Sequence, residues 1–389
     1  MSDMIFDAVV VGGGIVGTTA GFFLARQGLK VAVVERDSLA CGTTSKSFAW
    51  INGTSKTADE KYHRLNARGL VAYGELAVEF GEDALGLNAV GTLNVVRKSD
   101  TAGYGAAQEQ ARKLEAFGYP SAWIDGQALR AMEPHVTFPD DAEAIYAMAD
   151  CCLNAPQFVR FMAQQIEAMG GTVFESCGAR SLEARDDGQV TGLVTEKGTL
   201  RSEQILIAAG PRTPEVLSNL TGYDGFATRF PLHRVPGLLV RTPNHRPHQL
   251  IRHVLYMSTG TEIHMLPDFN GGLKIGSDDT DGMVDENSSP DHLHNVAGIL
   301  LDRAKNLLPG FMGRDCLDQC EMTVGIRPYP KDGHSLAGAL PGAQGLYLIA
   351  THSGITLSPA IGQMMAALMT TGDTPDMLKP FSLDRMEGF

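Results

Sequence analysis

The run Ala8–Glu35 (AVVVGGGIVGTTAGFFLARQGLKVAVVE) constrains the fold more than any other part of the chain. Ala8–Val11 is a short apolar, β-branched stretch of the kind that forms a buried strand. It enters Gly12-Gly13-Gly14-Ile15-Val16-Gly17, a G-x-G-x-x-G turn, followed by a helical pattern over Thr18–Gln27 closed by Gly28. A second apolar run, Val31–Val34, ends at Glu35, about 20 residues beyond the glycines. Each residue type has a task. Gly12 permits the tight turn, Gly14 lets backbone N–H groups approach a pyrophosphate, and Gly17 lets helix and strand pack closely. The helix N-terminus, beginning at Ile15 and Val16, turns orphan donors and partial positive charge toward the phosphates. Glu35 stands where an acid accepts from ribose hydroxyls, with Arg36 beside it, so FAD or NAD is favoured over NADP.

The chain has 389 residues, enough for two structural units with separate cores. Its net charge of −13 argues against nucleic acid as the main partner, because phosphate binding needs a basic face. No apolar run approaches the roughly 18–20 residues of a membrane span. The N-terminus already reads as strand, so no cleaved signal peptide is expected. A cytoplasmic protein is the expectation, with peripheral membrane association left open. The six cysteines (Cys41, Cys151, Cys152, Cys177, Cys316, Cys320) fit no paired C-x-x-C zinc pattern. Cys316 and Cys320 share a face only if their segment is helical, and no nearby histidine completes a ligand set. Ordinary thiols and no metal site are therefore expected.

Beyond Glu35, strand and helix do not simply alternate. Cys41–Lys56 reads as a Gly/Ser/Thr-rich loop, Lys61–Phe80 as a helix, Gly91–Val96 as a strand and Thr101–Phe117 as a helix. Ser121–Pro134 contains a short helix ending in Met-Glu-Pro. Asn154-Ala155-Pro156 opens a helix, Gln157–Met169, followed by a strand at Thr172–Glu175 and a small meander over Leu182–Gln204. The buried strand Ile205–Ala209 ends at Gly210-Pro211, a second turn tight enough for a cofactor to approach. Val235–Arg241, Val254–Ser258, Glu262–Pro267 and Leu273–Gly276 read as antiparallel strands, and Leu293–Leu308 as a helix. Gly345–Ala350 reads as a last strand leading to a closing helix, Gln363–Leu368. The pattern is α/β, or α+β overall: a Rossmann dinucleotide domain with an inserted antiparallel-sheet substrate domain.

The order of these parts resembles the D-amino acid oxidase/glycine oxidase/sarcosine oxidase family. The residues that carry the likeness are the N-terminal glycine motif, the T-S-x-S loop at Thr44–Ser47 and Met132-Glu133-Pro134. Ile326-Arg327-Pro328 with Asp332-Gly333-His334, and the final strand–His352-Ser353-Gly354–helix, complete it. The resemblance implies a glutathione-reductase-type FAD domain at 1–84, 145–220 and 320–389. It implies a substrate domain at 85–144 and 221–319, whose antiparallel sheet walls the flavin. It also implies FAD contacts at Gly12, Gly14, Gly17, Glu35, Thr43, Thr44, Ser45, Ser47, Gly354, Ile355 and Thr356.

Arg327 resembles the arginine that clamps a substrate carboxylate, for which a planar guanidinium fork is suited. Lys274 resembles the sarcosine oxidase lysine that promotes reaction with oxygen. His264 stands where related oxidases put a tyrosine, and His352 lies at the flavin-side turn. Lys46 and Tyr256 are further pocket candidates. Two departures narrow the implication. The covalent-flavin cysteine of sarcosine oxidases falls at Gly325, so FAD is expected to be non-covalent. Their carboxylate lysine falls at Thr356, so sarcosine itself does not carry over.

The implied activity is FAD-dependent oxidation of a D-, N-substituted or cyclic amino acid, or of a secondary amine. Hydride passes from the carbon bearing nitrogen to flavin N5, and the imine hydrolyses. Oxygen or a quinone would accept the electrons. The alternative is a 2-hydroxy-acid or opine dehydrogenase serving a quinone or partner subunit. A homo-oligomer is compatible with either.

Overall fold

The computed structural model describes residues 4–219, 230–244, 250–257 and 262–386. The chain opens on β1 (Ala8–Val11), α1 (Ile15–Arg26) and β2 (Val31–Val34). It passes along α2 (Glu60–Phe80) into β3 (Thr92–Arg97), α3 (Thr101–Ala116), β4 (Ser121–Ile124), α4 (Gly126–Met132) and β5 (Ala142–Ala147). Next come α5 (Ala155–Ala168), β6 (Thr172–Phe174), β7 (Ile205–Ile207) and β8 (Leu232–Arg241). Then follow β9 (Val254–Met257), β10 (Ile263–Pro267), β11 (Leu273–Gly276), α6 (Pro290–Leu307) and β12 (Glu321–Pro330). The chain closes on β13 (Leu336–Ala339), β14 (Leu346–Ala350) and α7 (Gly354–Thr371).

Two sheets organise these elements. The first runs β6-β2-β1-β7-β14-β13 and is parallel except at β13–β14. Its inner strands are apolar at every position because both faces are covered. Ala8 and Val10 pack toward α1, α2, α5 and α7, while Val9 and Val11 pack toward a meander of strands Ala179–Ala184, Val190–Thr195 and Gly198–Arg201. The second sheet runs β12-β8-β11-β10-β9-β3-β5-β4 and is antiparallel except at β9–β3. Leu238, Val240, Ile263, Met265, Leu273 and Ile275 pack one of its faces on Val296, Leu300 and Leu301 of α6. The strand period of 2 therefore sends the alternate residues to the opposite face.

Several elements depart from the sequence reading. The closing helix begins at Gly354, far ahead of Gln363, because Pro359 lies inside it. A proline removes the N–H that would serve the carbonyl four residues back. Tyr73 Oη donates to that carbonyl, Ile355 O, at 2.6 Å, so the helix continues through the proline. Within Ser121–Pro134 the short helix is α4, and the residues before it form β4. Glu133, expected only as part of a motif, is buried and accepts from His253 N at 2.7 Å and Arg252 N at 2.9 Å. Ser258, placed at the end of a strand, lies outside the described residues, as does the boundary at 220–221. The domain bounds implied by the resemblance place 320–389 with the dinucleotide unit, yet β12 pairs with β8 from Leu232↔Pro330 to Arg241↔Glu321 in the second sheet. The boundary at 145 likewise falls inside β5.

Candidate active site

A cavity of about 530 Å³ opens between the two sheets. At one end lies the glycine turn. Gly12 has φ +120°, and a Cβ there would lie 2.4 Å from Ala208 O, so the turn crosses directly against β7. Gly17 does not line the cavity. It is the packing glycine, since its Cβ would stand 2.0 Å from Gly12 O. No side chain of the Gly14 cap serves the α1 N-terminus; Thr44 Oγ1, from the following loop, accepts from Ile15 N at 3.0 Å. Glu35 accepts from Gly13 N at 2.7 Å through Oε2 and from Asp37 N at 2.9 Å through Oε1. These bonds fix the carboxylate, and each oxygen keeps a second lone pair for a ligand hydroxyl. Arg36 lines the same end, paired with Asp37 at 2.7 Å, and Gly210 (φ +56°) turns the chain there after β7.

The second helix N-terminus on the cavity belongs to α7. Gly354, Ile355 and Thr356 line it, and the Ser353 cap makes no side-chain capping bond. Thr356 Oγ1 accepts from Asn52 N at 3.2 Å, tying this turn to the 41–56 loop. That loop in turn is tied to the second sheet. Thr43 Oγ1 donates to Ile326 O at 2.6 Å, and Ser47 Oγ to Thr44 O at 2.8 Å. Ser45 does not line the cavity; its hydroxyl folds back to Gly42 O at 3.3 Å.

The cavity face of the second sheet supplies Arg327, His264 and Gly325. Met322 and Val324 of β12 pack toward α6, so Gly325 and Arg327 point the other way. Arg327 is half-buried. Its Nη2 donates to Asp281 Oδ2 at 2.7 Å and to Pro236 O at 3.1 Å, while Nε is buried without a partner among the described residues. Asp332, close to Arg327 in sequence, pairs with Arg385 at 3.0 Å. Burial pushes the Asp281 carboxyl up to about 6 although Arg327 opposes the shift.

His264 forms an aromatic wall with Phe48 (ring centroids 4.5 Å apart) and Tyr256 (5.9 Å, interplanar 5°), and Tyr256 stacks on Trp50. Tyr256 itself is behind that wall, donating to Asp278 Oδ2 at 3.0 Å. Burial pulls His264 down to about 4 and His352 to about 3, so both rings are neutral. His352 stacks on Tyr329 at 4.3 Å and keeps a buried, unpartnered Nδ1 among the described residues. Lys274 is buried. It does not line the cavity; its Nζ donates to Ser47 O at 3.3 Å from behind the loop.

Asp281, Trp50 and Lys56 are among the lining residues that escaped the sequence reading. Asp281 ends a four-residue helical turn far from Arg327 in sequence, Trp50 lies in a two-residue strand, and Lys56 in a turn with no periodicity. No local signal marks any of them. Lys46, a weaker candidate, does line the cavity, and a Cβ on Gly325 would lie 2.5 Å from its carbonyl oxygen.

A flavin dinucleotide fits these features: a cradle that Cβ atoms would fill, an oriented ribose acid, and two helix N-termini facing one cavity, neither capped by the side chain of its own N-cap residue. Comparison with known proteins agrees. The FAD dependent oxidoreductase (DAO) family model matches residues 7–368. The chain is 27% identical to the glycine oxidase of Geobacillus kaustophilus (strain HTA426) over 403 residues, 98% of each chain. It is 23% identical to an opine oxidase component of Agrobacterium tumefaciens (strain Ach5), over 97% of each chain. The crystal structure of the Geobacillus kaustophilus glycine oxidase matches with a TM-score of 0.81 at 24% identity, covering 99% of this chain and 100% of that one. Among the described residues no helix is long and apolar enough to cross a membrane. The chain belongs to the DAO family of FAD-dependent oxidoreductases, and its cofactor is FAD.

Proposed function

We propose that the protein oxidises an amino acid, or an amine derived from one, with the substrate carboxylate on Arg327. The observation that carries this reading is the state of that arginine. One nitrogen is fixed by Asp281 and Pro236 O on the cavity face, and Nε is left buried without an acceptor among the described residues. A carboxylate satisfies that group with charge-assisted bonds worth about 1.5–3 kcal/mol each. Relatives named as a glycine oxidase and as part of an opine oxidase support the same class.

Bound FAD supplies the acceptor for a hydride from the carbon that bears nitrogen. Gly12, Gly14, Ile15, Val16, Glu35, Arg36, Thr43, Thr44, Ser47 and Gly210 hold it, and the α7 N-terminus at Gly354–Thr356 favours negative charge on whatever lies against it. The remaining work is orientation. Arg327 fixes one end of the substrate. The neutral rings of His264 and His352 wall the cavity without adding charge beside the amine. Lys274 is a positioning residue acting through Ser47. A hydroxy-acid substrate would need a base, and His264, pulled down to about 4 inside an aromatic stack, is a weak one. The crowding of Gly325 against Lys46 favours non-covalent FAD.

Anaerobic mixing with D-, N-substituted and cyclic amino acids and 2-hydroxy acids tests the reading. An amino compound should bleach the flavin and fail to do so with Arg327→Ala. Bleaching by a hydroxy acid alone would overturn it. Readmitting air, and in a separate sample adding a quinone without air, then shows which of the two reoxidises the flavin.

A further inference from the structure

The charges that line the cavity are not evenly spread. Around Glu35, the acids Asp37, Glu196 and Glu215 are matched by Arg36, Arg180 and Arg212, joined in pairs at 2.5–3.8 Å. Around β12 the balance is different. Lys46, Lys56 and Arg327 line this part, and Asp281 is the carboxylate among the described lining residues there. Arg327 already engages it.

Lys56 stands out among these cations. Lys46 is exposed, whereas Lys56 is half-buried and its side chain has no hydrogen bond or ion pair among the described residues. Burial lowers its ammonium pKa; the Asp278 carboxylate, which Tyr256 Oη holds, opposes that shift, and Arg327 adds to it. Leaving a cation unpaired in such a place is costly unless something completes it.

The backbone beneath it is rigid. Gly53 N donates to Tyr119 Oη at 3.0 Å, Thr54 Oγ1 to the buried Asp150 at 2.7 Å, and Gln110 Nε2 to Thr54 O at 2.8 Å. Lys56 N closes the turn on Gly53 O at 3.2 Å. A preorganised, unpaired cation beside a carboxylate clamp is a second anion site.

We propose that Lys56 receives a second carboxylate, so that the substrate is an amine bearing two carboxylates, one on Arg327 and the other on Lys56. This rests on the amine-oxidation reading above. One carboxylate shared by both cations is the competing arrangement, and binding separates the two. The probes are dicarboxylates from malonate to adipate and monocarboxylates of matching length, titrated into the holoprotein by calorimetry.

One dicarboxylate should bind about tenfold to a hundredfold tighter than its monocarboxylate, the value of a charged hydrogen bond. Lys56→Met should erase that preference while leaving monocarboxylate affinity within about twofold, and Lys56→Arg should restore it. Arg327→Met should weaken both series. Three results would overturn the proposal: no preference in the wild type, a preference that survives Lys56→Met, or equal loss of both series in that variant. Retained flavin absorbance verifies that each variant is folded, and Lys56→Gln serves if Met is not. Flavin bleaching by monocarboxylic amines with no dicarboxylate preference would remove this inference alone. Failure of every amine to bleach would remove the underlying reading.

Discussion

Two glycines on α2 should respond to the same substitution in opposite directions. Gly69 is buried where α2 crosses the first turn of α7, and a Cβ there would lie 2.2 Å from Thr356 O. Ordinary carbon–oxygen contact is about 1 Å longer, and the obstacle is backbone, so the helices must part. Overpacking of this kind costs about 1–3 kcal/mol, against which alanine returns about 1 kcal/mol of helix propensity. Gly74, one and a half turns along, is exposed with nothing within 4 Å, so Gly74→Ala keeps the propensity gain alone. Urea unfolding followed by circular dichroism should place Gly69→Ala below the wild type by about 1–2 kcal/mol and Gly74→Ala above it by about 0.5–1 kcal/mol. Because Thr356 belongs to the turn proposed to face the cofactor, Gly69→Ala should also lose FAD faster on dialysis. Equal shifts in the two variants, or a Gly69→Ala protein as stable and as yellow as the wild type, would refute the close approach of α2 and α7.

Tyr73→Phe strands the Ile355 carbonyl that Pro359 leaves without its helical donor, and should lower stability by about 1–3 kcal/mol; a change within a few tenths would mean water or another donor replaces the hydroxyl. Asp150 is fully buried and pushed up to about 6 from the ordinary 3.8. Its folded state therefore binds the proton more tightly, and the associated stability is complete below about pH 4 and lost as pH rises through about 6. The shift corresponds to about 3 kcal/mol. Urea midpoints between pH 4.5 and 7.5 should show that decline in the wild type and a shallower one in Asp150→Asn; parallel slopes would exclude Asp150 as its source. Gly325→Cys should be less stable and leave flavin fully extractable after acid precipitation, because the new side chain meets Lys46 O; a protein-bound flavin would contradict that geometry.

What the sequence discloses follows the range of the interactions involved. The β1–α1–β2 unit is legible because each task of the glycine turn is set within a few residues of it. So are Asn154 as the cap of α5 and the alternation along β10 and β11. β12 is harder to see, since Gly325, Arg327 and Pro328 interrupt its apolar alternation, and only its pairing with β8 makes it a strand. The start of α7 is hidden for a related reason: its helical proline is tolerated through Tyr73, on a distant helix. Arg327 is recognisable from its motif, but its partner Asp281 is not, because nothing local links them. Lys56 carries no pattern at all. Its position depends on Tyr119, Asp150 and Gln110, which converge on the loop only in three dimensions.

The alternation along β10, β11 and β12 has an evolutionary consequence. Residues that anchor the sheet on α6 and residues that look into the cavity occupy alternate positions of the same strands. Mutation at His264 or Arg327 can therefore alter what the cavity accepts while Ile263, Met265, Met322 and Val324 continue to hold the sheet on its helix. Heritable variation in chemistry and heritable variation in foldability are thus separated at single-residue spacing. A lineage built on this sheet is free to explore new substrates in small steps, without each step endangering the scaffold on which the next depends.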